Sequence, residues 1–154
     1  MIQLSIITPE RTVYDARVDQ VTLPTTEGEI TVLPHHISLV SVLAPGELRL
    51  KSGDEEIPMA IAGGFVEVLP TEKGPGPFST RVAVLADDAL RVEEMDVAAI
   101  EAARERARTA LAATRHTDDV SFADAAAGLQ KELARLKVAR KYRRGGRYDA
   151  PESM

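Results

Sequence analysis

Histidine is the side chain that most directly suggests chemistry in this sequence, and the chain contains three, His35, His36 and His116. A catalytic triad needs a base oriented beside a nucleophile, and no such pairing is visible around these residues. Adjacent residues of an extended chain point to opposite faces, so His35 and His36 would chelate one metal ion poorly. The absence of cysteine excludes a thiolate nucleophile, a thiolate metal site and a disulfide framework. The sequence therefore predicts no catalytic residues and no metal site.

The two adjacent histidines belong to a polar stretch, residues 23–40, that is flanked by short apolar runs. Glu27-Gly28-Glu29 predicts a turn because Gly28 can adopt backbone angles that a side chain forbids. Pro34 ends the apolar run that follows, since proline has no N–H to give to a sheet ladder. A polar loop held between strands is more often a contact surface than a catalytic pocket.

Charge is divided unevenly along the chain, whose formal net charge is −5. Acidic residues exceed basic ones over 1–94, and the balance reverses over 95–154. Residues 131–147 carry eight Lys or Arg side chains against the single Glu132. This asymmetry indicates different partners for the two parts. Charge alone leaves open a solvated helix end, a surface for an acidic partner, and a nucleic-acid contact.

Composition sets further limits on the class of protein. With 154 residues, no Trp and only three Phe and three Tyr, the chain can bury one moderate core, which must be aliphatic. Met1 leads directly into an apolar run, so no signal peptide is predicted. No run of about 18 apolar residues is present, so a membrane-spanning helix is not expected.

Short apolar runs separated by turn residues fill the first part of the chain. Many short strands without intervening helices predict an antiparallel β-sandwich or flattened barrel of about ten strands. Gly63-Gly64 indicates a bulge or a close approach of two backbones. Residues 71–80 contain Gly-Pro-Gly-Pro, which predicts an exposed hairpin extension.

The periodicity becomes helical after Met95. Asp96 is a predicted N-cap, and Met95 is placed to form a hydrophobic staple. The apolar face of the first helix comprises Val97, Ile100, Ala103, Ala107 and Leu111. After a break around 114–117, Asp118 or Asp119 is expected to cap a second helix. Its predicted stripe comprises Phe122, Ala125, Ala126, Leu129, Leu133 and Leu136. Two such helices joined by a short linker predict a helical hairpin.

These patterns divide the chain into a β-sandwich domain over 1–94, a helical hairpin over 95–142 and a flexible basic tail over 143–154. Alanine favours each helix locally but buries little area, whereas a fully buried Leu contributes ~1.5–3 kcal/mol. The seam between the helices is therefore weakly held, which permits folded and extended arrangements. Periodicity alone favours a static hairpin packed on the sandwich.

Four motifs, in this order, resemble the epsilon subunit of rotary F-type ATP synthases. They are EGEITVLPHH over 27–36, APGELRL over 44–50, AGGFVEVLP over 62–70 and VAVLADDALR over 82–91. The predicted helical hairpin follows them, as it does in that family. The resemblance covers nearly the whole chain, except residues 71–80 and those after Tyr142.

The resemblance implies a non-catalytic subunit of an enzyme complex. Such a subunit belongs to the rotor, binds the gamma subunit, sits on the ring of membrane c subunits and helps couple proton transport to ATP synthesis. The implied location is peripheral, on the cytoplasmic face of the bacterial inner membrane, with membrane association only through the complex. The implied hairpin can extend along gamma and restrain ATP hydrolysis.

The resemblance also assigns contact residues. Those implied to face the c-ring are Glu27, Gly28 and Glu29. Those implied to lie near gamma are Pro34, His35, His36 and Leu39. The family has a Pro-Gly-His turn, so His35 replaces its glycine. Histidine is among the residues that tolerate positive φ, so this replacement costs modest strain if the turn needs it. When the hairpin extends, the cations implied to meet the alpha/beta catalytic head are Arg135, Lys137, Arg140 and Lys141.

Some bacterial members of the family bind ATP in the folded hairpin through an Ile/Leu-Asp-x-x-Arg-Ala motif and basic residues of the second helix. Asp96, Lys131 and Arg135 match that site, but Ala99 replaces the arginine of the motif. Losing this cation removes a charge-assisted hydrogen bond worth ~1.5–3 kcal/mol, or roughly tenfold or more in affinity. We predict that ATP binding is weak or absent and that the chain has no other cofactor.

Two other classes of protein fit the residues themselves. A free-standing β-sandwich interaction module would be distinguished by its failure to co-purify with a gamma subunit. A nucleic-acid-binding protein would use the basic tail, where Tyr142 and Tyr148 are the only aromatic residues available for stacking. Since the sandwich is acidic, we expect no nucleic-acid partner.

Overall fold

The computed structural model describes residues 1–71, 79–114 and 119–144. The ten strands are β1 (Ile2–Ile7), β2 (Thr12–Val18), β3 (Gln20–Thr25), β4 (Gly28–Val32), β5 (Leu39–Val42), β6 (Gly46–Ser52), β7 (Glu55–Ile61), β8 (Gly64–Thr71), β9 (Ser79–Ala86) and β10 (Ala89–Arg91). A 3-10 turn (Val92–Glu94) leads to helices α1 (Val97–Thr114) and α2 (Asp119–Arg144). The middle of the predicted 71–80 extension, His116, Asp118 and the predicted tail beyond residue 144 lie outside the described residues.

The strands form two five-stranded sheets. Sheet A has the order β2-β1-β9-β8-β5, and sheet B has the order β10-β7-β6-β3-β4. In the described part of the chain, the pairs are antiparallel except β1 with β9, which is parallel. A parallel pair needs a long crossover, which here consists of all the strands between β1 and β9. The predicted β-sandwich followed by a helical hairpin is confirmed.

The core between the sheets is aliphatic, as the composition predicts. Its largest fully buried side chains include Ile2, Leu4, Leu23, Leu48 and Leu50. Side chains alternate between the two faces of a strand. This alternation buries Leu48 and Leu50 of β6 and turns Glu47 and Arg49 to the outer face of sheet B.

Gly64, at the start of β8, marks a close approach of two backbones. A Cβ atom at this position would lie 2.1 Å from the carbonyl oxygen of Leu85, and the φ angle is +111°. Only glycine fits both the space and the backbone angle. The predicted close approach is therefore confirmed.

Helix α1 begins as the sequence predicts. The Asp96 carboxylate accepts hydrogen bonds from the N–H groups of Ala98 at 3.0 Å and Ala99 at 3.3 Å. Met95 and Ile100 belong to one buried cluster, which places the staple beneath the first turn.

Helix α2 has two buried sides, one against α1 and one against β6 and β7 of sheet B. The predicted apolar stripe is wrong at Phe122 and Leu133, which are 43% and 47% exposed. Val138, Ala139 and Tyr142, outside that stripe, are buried instead. A single periodic stripe describes a helix with one buried side, so it misses the side of α2 that covers the sheet.

Candidate functional site: contact surfaces and the hairpin latch

The β3–β4 turn presents two carboxylates to solvent. Gly28 has a φ angle of +123°, and the Thr25 hydroxyl donates to the Gly28 carbonyl at 2.6 Å. The Glu27 N–H donates to the same hydroxyl at 3.2 Å. Glu27, Gly28 and Glu29 are all exposed. The turn is thus fixed by backbone and threonine contacts, which leaves both carboxylates at the surface.

Glu29 is paired with a cation from a non-adjacent strand. Arg49 on β6 reaches across β3, and its Nη2 atom lies 2.8 Å from Glu29 Oε1. Burial disfavours the charged guanidinium, but the hydrogen bond and charge of Glu29, together with the charges of Glu47 and Tyr142, outweigh that effect and raise the pKa of Arg49. The pair keeps Glu29 oriented on the outer face of sheet B.

The β4–β5 loop contains the two adjacent histidines. His35 has a φ angle of +69°, the left-handed conformation that glycine adopts most easily. Its N–H donates to the buried Thr80 hydroxyl at 2.8 Å. His36 is half-buried, with its N–H 3.2 Å from the Leu33 carbonyl oxygen and its Nδ1 2.7 Å from the Ile37 carbonyl oxygen. The backbone of His35 is therefore fixed by Thr80, whereas His36 is fixed through both its backbone and its imidazole.

The remaining residues assigned to the gamma contact differ in exposure. Pro34 is half-buried, and Leu39 packs against the sandwich core. Val40, beside Leu39, is 68% exposed, and Ile37 is 78% exposed. At the surface of this segment, apolar side chains accompany the histidines.

A continuous row of exposed apolar side chains crosses the outer face of sheet A. Its members are Val42, Phe65, Leu85 and Ile7, which oppose one another in register on β5, β8, β9 and β1. Their exposed fractions are 45%, 56%, 55% and 39%. Contiguous exposed apolar side chains mark interaction sites. Apolar residues on both faces of β8 are the sequence signal that could have revealed this row.

Several polar contacts fasten α2 to the sandwich, and we call three of them the latch. The first joins Arg135 to Asp88, with Nη2 at 2.7 Å from each carboxylate oxygen. The second joins Lys141 to Glu47, with Nζ at 3.0 and 2.8 Å from its two oxygens. The third is donated by the Tyr142 hydroxyl to Glu47 Oε1. The closed position of α2 is therefore maintained by charge as well as by apolar packing.

Glu132 is the buried carboxylate beside the latch. It is 5% exposed, and its Oε1 accepts from Arg135 Nη1 at 3.3 Å. Its Oε2 has no hydrogen-bond partner among the described residues. An under-satisfied buried carboxylate costs free energy, so its burial opposes closure of the helix.

The four cations assigned to the catalytic head are placed differently. Arg135 and Lys141 belong to the latch, and Arg140 pairs with Glu101 of α1 at 3.0 Å. Lys137 is exposed on α2. In the closed chain, three of these four cations are therefore paired with carboxylates of the same chain.

The three residues assigned to ATP binding serve separate contacts. Asp96 caps α1, and Arg135 is paired with Asp88. Lys131 lines a cavity of about 300 Å³ together with Glu10, Asp87 and Asp88. Three carboxylates around one cation form a poor surface for a polyphosphate.

No group of three His, Cys, Asp or Glu side chains in the described ranges 1–71, 79–114 and 119–144 could hold a metal ion. No helix in the described part of the chain is long and apolar enough to cross a membrane. The fold and these surfaces define a β-sandwich interaction protein with a C-terminal helical hairpin closed on one face.

Comparison with known proteins places this architecture in one family. Residues 1–92 match the family described as ATP synthase, Delta/Epsilon chain, beta-sandwich domain. The ATP synthase epsilon chain of Dehalococcoides mccartyi is 41% identical over 143 residues, covering 93% of this chain and 95% of that one. The epsilon chain of Syntrophobacter fumaroxidans is 46% identical over 140 residues, covering 91% and 96%. The chain belongs to the ATP synthase epsilon chain family.

A solved structure agrees with this assignment. A chain in the structure of the Euglena gracilis mitochondrial ATP synthase, which comprises OSCP, F1 and the c-ring, matches with a TM-score of 0.65 and 26% identity. The match covers 86% of this chain and 78% of that one.

Proposed function

We propose that this chain is the rotor subunit of an F-type ATP synthase that links the gamma subunit to the c-ring and helps couple proton transport to ATP synthesis. The observation that carries the proposal is the apolar row on sheet A. Val40, two residues from Val42 on the same face of β5 and 68% exposed, extends the apolar area from the row towards the loop that holds Pro34, His35 and His36. Membership of the epsilon chain family supports gamma as the partner.

The c-ring contact is proposed for the acidic turn at Glu27, Gly28 and Glu29. Exposed carboxylates on a rigid hairpin suit the polar loops of a membrane ring, because they can pair with cations there. In this role the chain is non-catalytic. It associates with the membrane through the complex, at the cytoplasmic face of the bacterial inner membrane.

The helical hairpin is proposed to restrain ATP hydrolysis when it leaves the sandwich. Departure from the sandwich would release Arg135 and Lys141 from their carboxylates, and separation of α2 from α1 would release Arg140 from Glu101. The extended helix would present these cations, with Lys137, to acidic segments of the alpha/beta head. Opposite charge favours such contacts most at low ionic strength. ATP is proposed to bind the closed hairpin weakly or not at all, because Arg135 is already paired and Lys131 lies among carboxylates.

Co-purification with the gamma subunit tests the proposed function. Tagged gamma should retain the wild-type chain, and Phe65→Glu should abolish retention because a charge would be desolvated in the apolar contact. Val120→Glu is the matched control, because Val120 is an apolar residue of α2 that is 70% exposed. Retention of Phe65→Glu at the wild-type level, with both variants folded by circular dichroism, would contradict docking through sheet A.

Nucleic-acid binding is the second candidate that the basic run suggested. Three cations of α2 are neutralised within the closed chain by Asp88, Glu47 and Glu101. We therefore expect no gel shift at physiological salt.

A further inference from the structure

A line of alternating charges crosses the outer face of sheet B from the acidic turn to the end of α2. Glu29 on β4 pairs with Arg49 on β6 at 2.8 Å. The other guanidinium nitrogen of Arg49, Nη1, lies 3.7 Å from Glu47 Oε2 on the same strand. Glu47 in turn accepts from Lys141 at 2.8 Å and from Tyr142. Two surfaces with different proposed roles are thus joined by four ionic side chains.

Glu47 is the member that both arms share. Its side chain is 16% exposed, whereas that of Glu29 is 53% exposed. Tyr142 is buried against it, and burial, followed by the hydrogen bond to Glu47, raises the pKa of Tyr142. The tyrosine therefore remains a hydrogen-bond donor. Any other side chain that contacts Glu47 affects how firmly the end of α2 is held.

In the closed chain Arg49 lies closer to Glu29, at 2.8 Å, than to Glu47, at 3.7 Å. Arg49 is hydrogen-bonded to Glu29 and only near Glu47, so both oxygens of Glu47 remain available to Lys141 and Tyr142. If Glu29 lost its charge, the attraction that holds Arg49 towards β4 would fall. Arg49 would then move to Glu47, where its positive charge would repel Lys141 and compete for the carboxylate.

We propose that Arg49 couples the Glu29 surface to the latch, so that neutralisation of Glu29 by a cationic partner favours release of α2 from the sandwich. This inference rests on the proposed function, because it takes Glu29 as a surface that a partner contacts. The occupant is a cationic side chain of that partner.

The coupling must act in both directions, because a change in one binding equilibrium alters the linked equilibrium equally. When α2 leaves, Glu47 loses Lys141 and Tyr142 and attracts Arg49. Glu29 is then freed for an external cation. A chain with its hairpin open should therefore bind a cationic surface more tightly at Glu29 than the closed chain does.

Hydrogen exchange of the full-length chain tests the coupling without any partner. Glu29→Gln imitates a neutralised carboxylate, and Glu29→Lys should drive Arg49 towards Glu47 more strongly. Typical coupling between sites is about 5–150-fold, and these partly exposed charges place the expected effect near the lower limit. We expect amide exchange in the last turns of α2 to accelerate by about fivefold in Glu29→Gln and further in Glu29→Lys.

Matched variants separate this coupling from a general charge effect. Glu27→Gln removes the same charge two residues away and should leave exchange in α2 unchanged. In an Arg49→Met background, Glu29→Gln should have no additional effect. Unchanged exchange in both Glu29 variants, an equal effect of Glu27→Gln, or an effect that persists in Arg49→Met would overturn the proposal.

The result of the hydrogen-exchange experiment does not depend on assembly with the gamma subunit or the c-ring. Failure of the exchange experiment removes the coupling and leaves gamma co-purification intact, whereas failure of co-purification removes the proposed function and leaves the exchange result intact. Protection of strand amides in each variant establishes that the sandwich is folded.

Discussion

The sandwich core and the sandwich–hairpin interface are built from different kinds of contact. The core joins two sheets through fully buried aliphatic side chains such as Leu23, Leu48 and Leu50. The interface with α2 combines a small apolar cluster with the polar latch, and it buries Glu132 incompletely satisfied. Aliphatic burial is stabilising without a matching partner, whereas buried charges stabilise only when they are paired. The sandwich is therefore a stable platform, and the hairpin is an element that can detach from it.

The largest effect is expected from a substitution in the core of the sandwich. Leu48→Ala removes a fully buried side chain from the core and should lower the free energy of unfolding by about 2–5 kcal/mol. Denaturant unfolding followed by circular dichroism measures this loss. Leu136→Ala, in the cluster beneath the helices, is the comparison. It should increase helix opening and leave the protection of strand amides from hydrogen exchange near the wild-type level. A loss of strand protection equal to that in Leu48→Ala would contradict the difference in stability between sandwich and hairpin.

A smaller effect is expected from breaking the latch. Arg135→Met removes the cation that pairs with Asp88 and donates a hydrogen bond to Glu132. Leaving partly buried carboxylates without a cation should destabilise the closed hairpin by about 1–3 kcal/mol. Limited proteolysis of α2 measures its release. Arg104→Met, which breaks an exposed pair with Glu105 on α1, is the control and should change proteolysis little.

The smallest expected effect is the pH dependence of closure. The pKa of Tyr142 is raised above its ordinary value of 10.0, mainly by burial. In the open hairpin Tyr142 ionises near that value, whereas in the closed hairpin it keeps its proton. Its stabilising contribution is therefore complete below pH 10 and is lost as pH rises through the raised pKa.

Comparison of the wild type with Tyr142→Phe isolates this contribution, because the two proteins differ only in the phenolic hydroxyl. Thermal unfolding between pH 9 and pH 11 should show a steeper loss of helix stability in the wild type. Equal pH dependence in the two proteins would exclude Tyr142 as a titrating part of the latch.

Local sequence signals predicted the elements and the N-cap of α1. Asp96, Gly28 and Gly64 act through their own backbone and nearest neighbours, so their roles can be inferred from residue type and position. The four motifs of the sandwich identified the family, which the comparisons confirm.

Long-range contacts could not be predicted in the same way. The apolar row of Val42, Phe65, Leu85 and Ile7 comes from four strands, and its continuity depends on their register. The second buried side of α2 was hidden because a periodic stripe indicates one buried side of a helix. The cations of α2 were visible in the sequence, but Asp88, Glu47 and Glu101 lie 39 to 94 residues from the cations that they pair with.

Denaturant-dependent native-state hydrogen exchange of the full chain tests the separation of platform and hairpin most directly. Amides of α1 and α2 should exchange through a partial opening whose free energy is lower than that of the amides of β1, β6 and β8, because the latch opens before the core unfolds. A single free energy and a single denaturant dependence for helices and core strands would contradict the account, because the hairpin and the sandwich would then unfold as one unit.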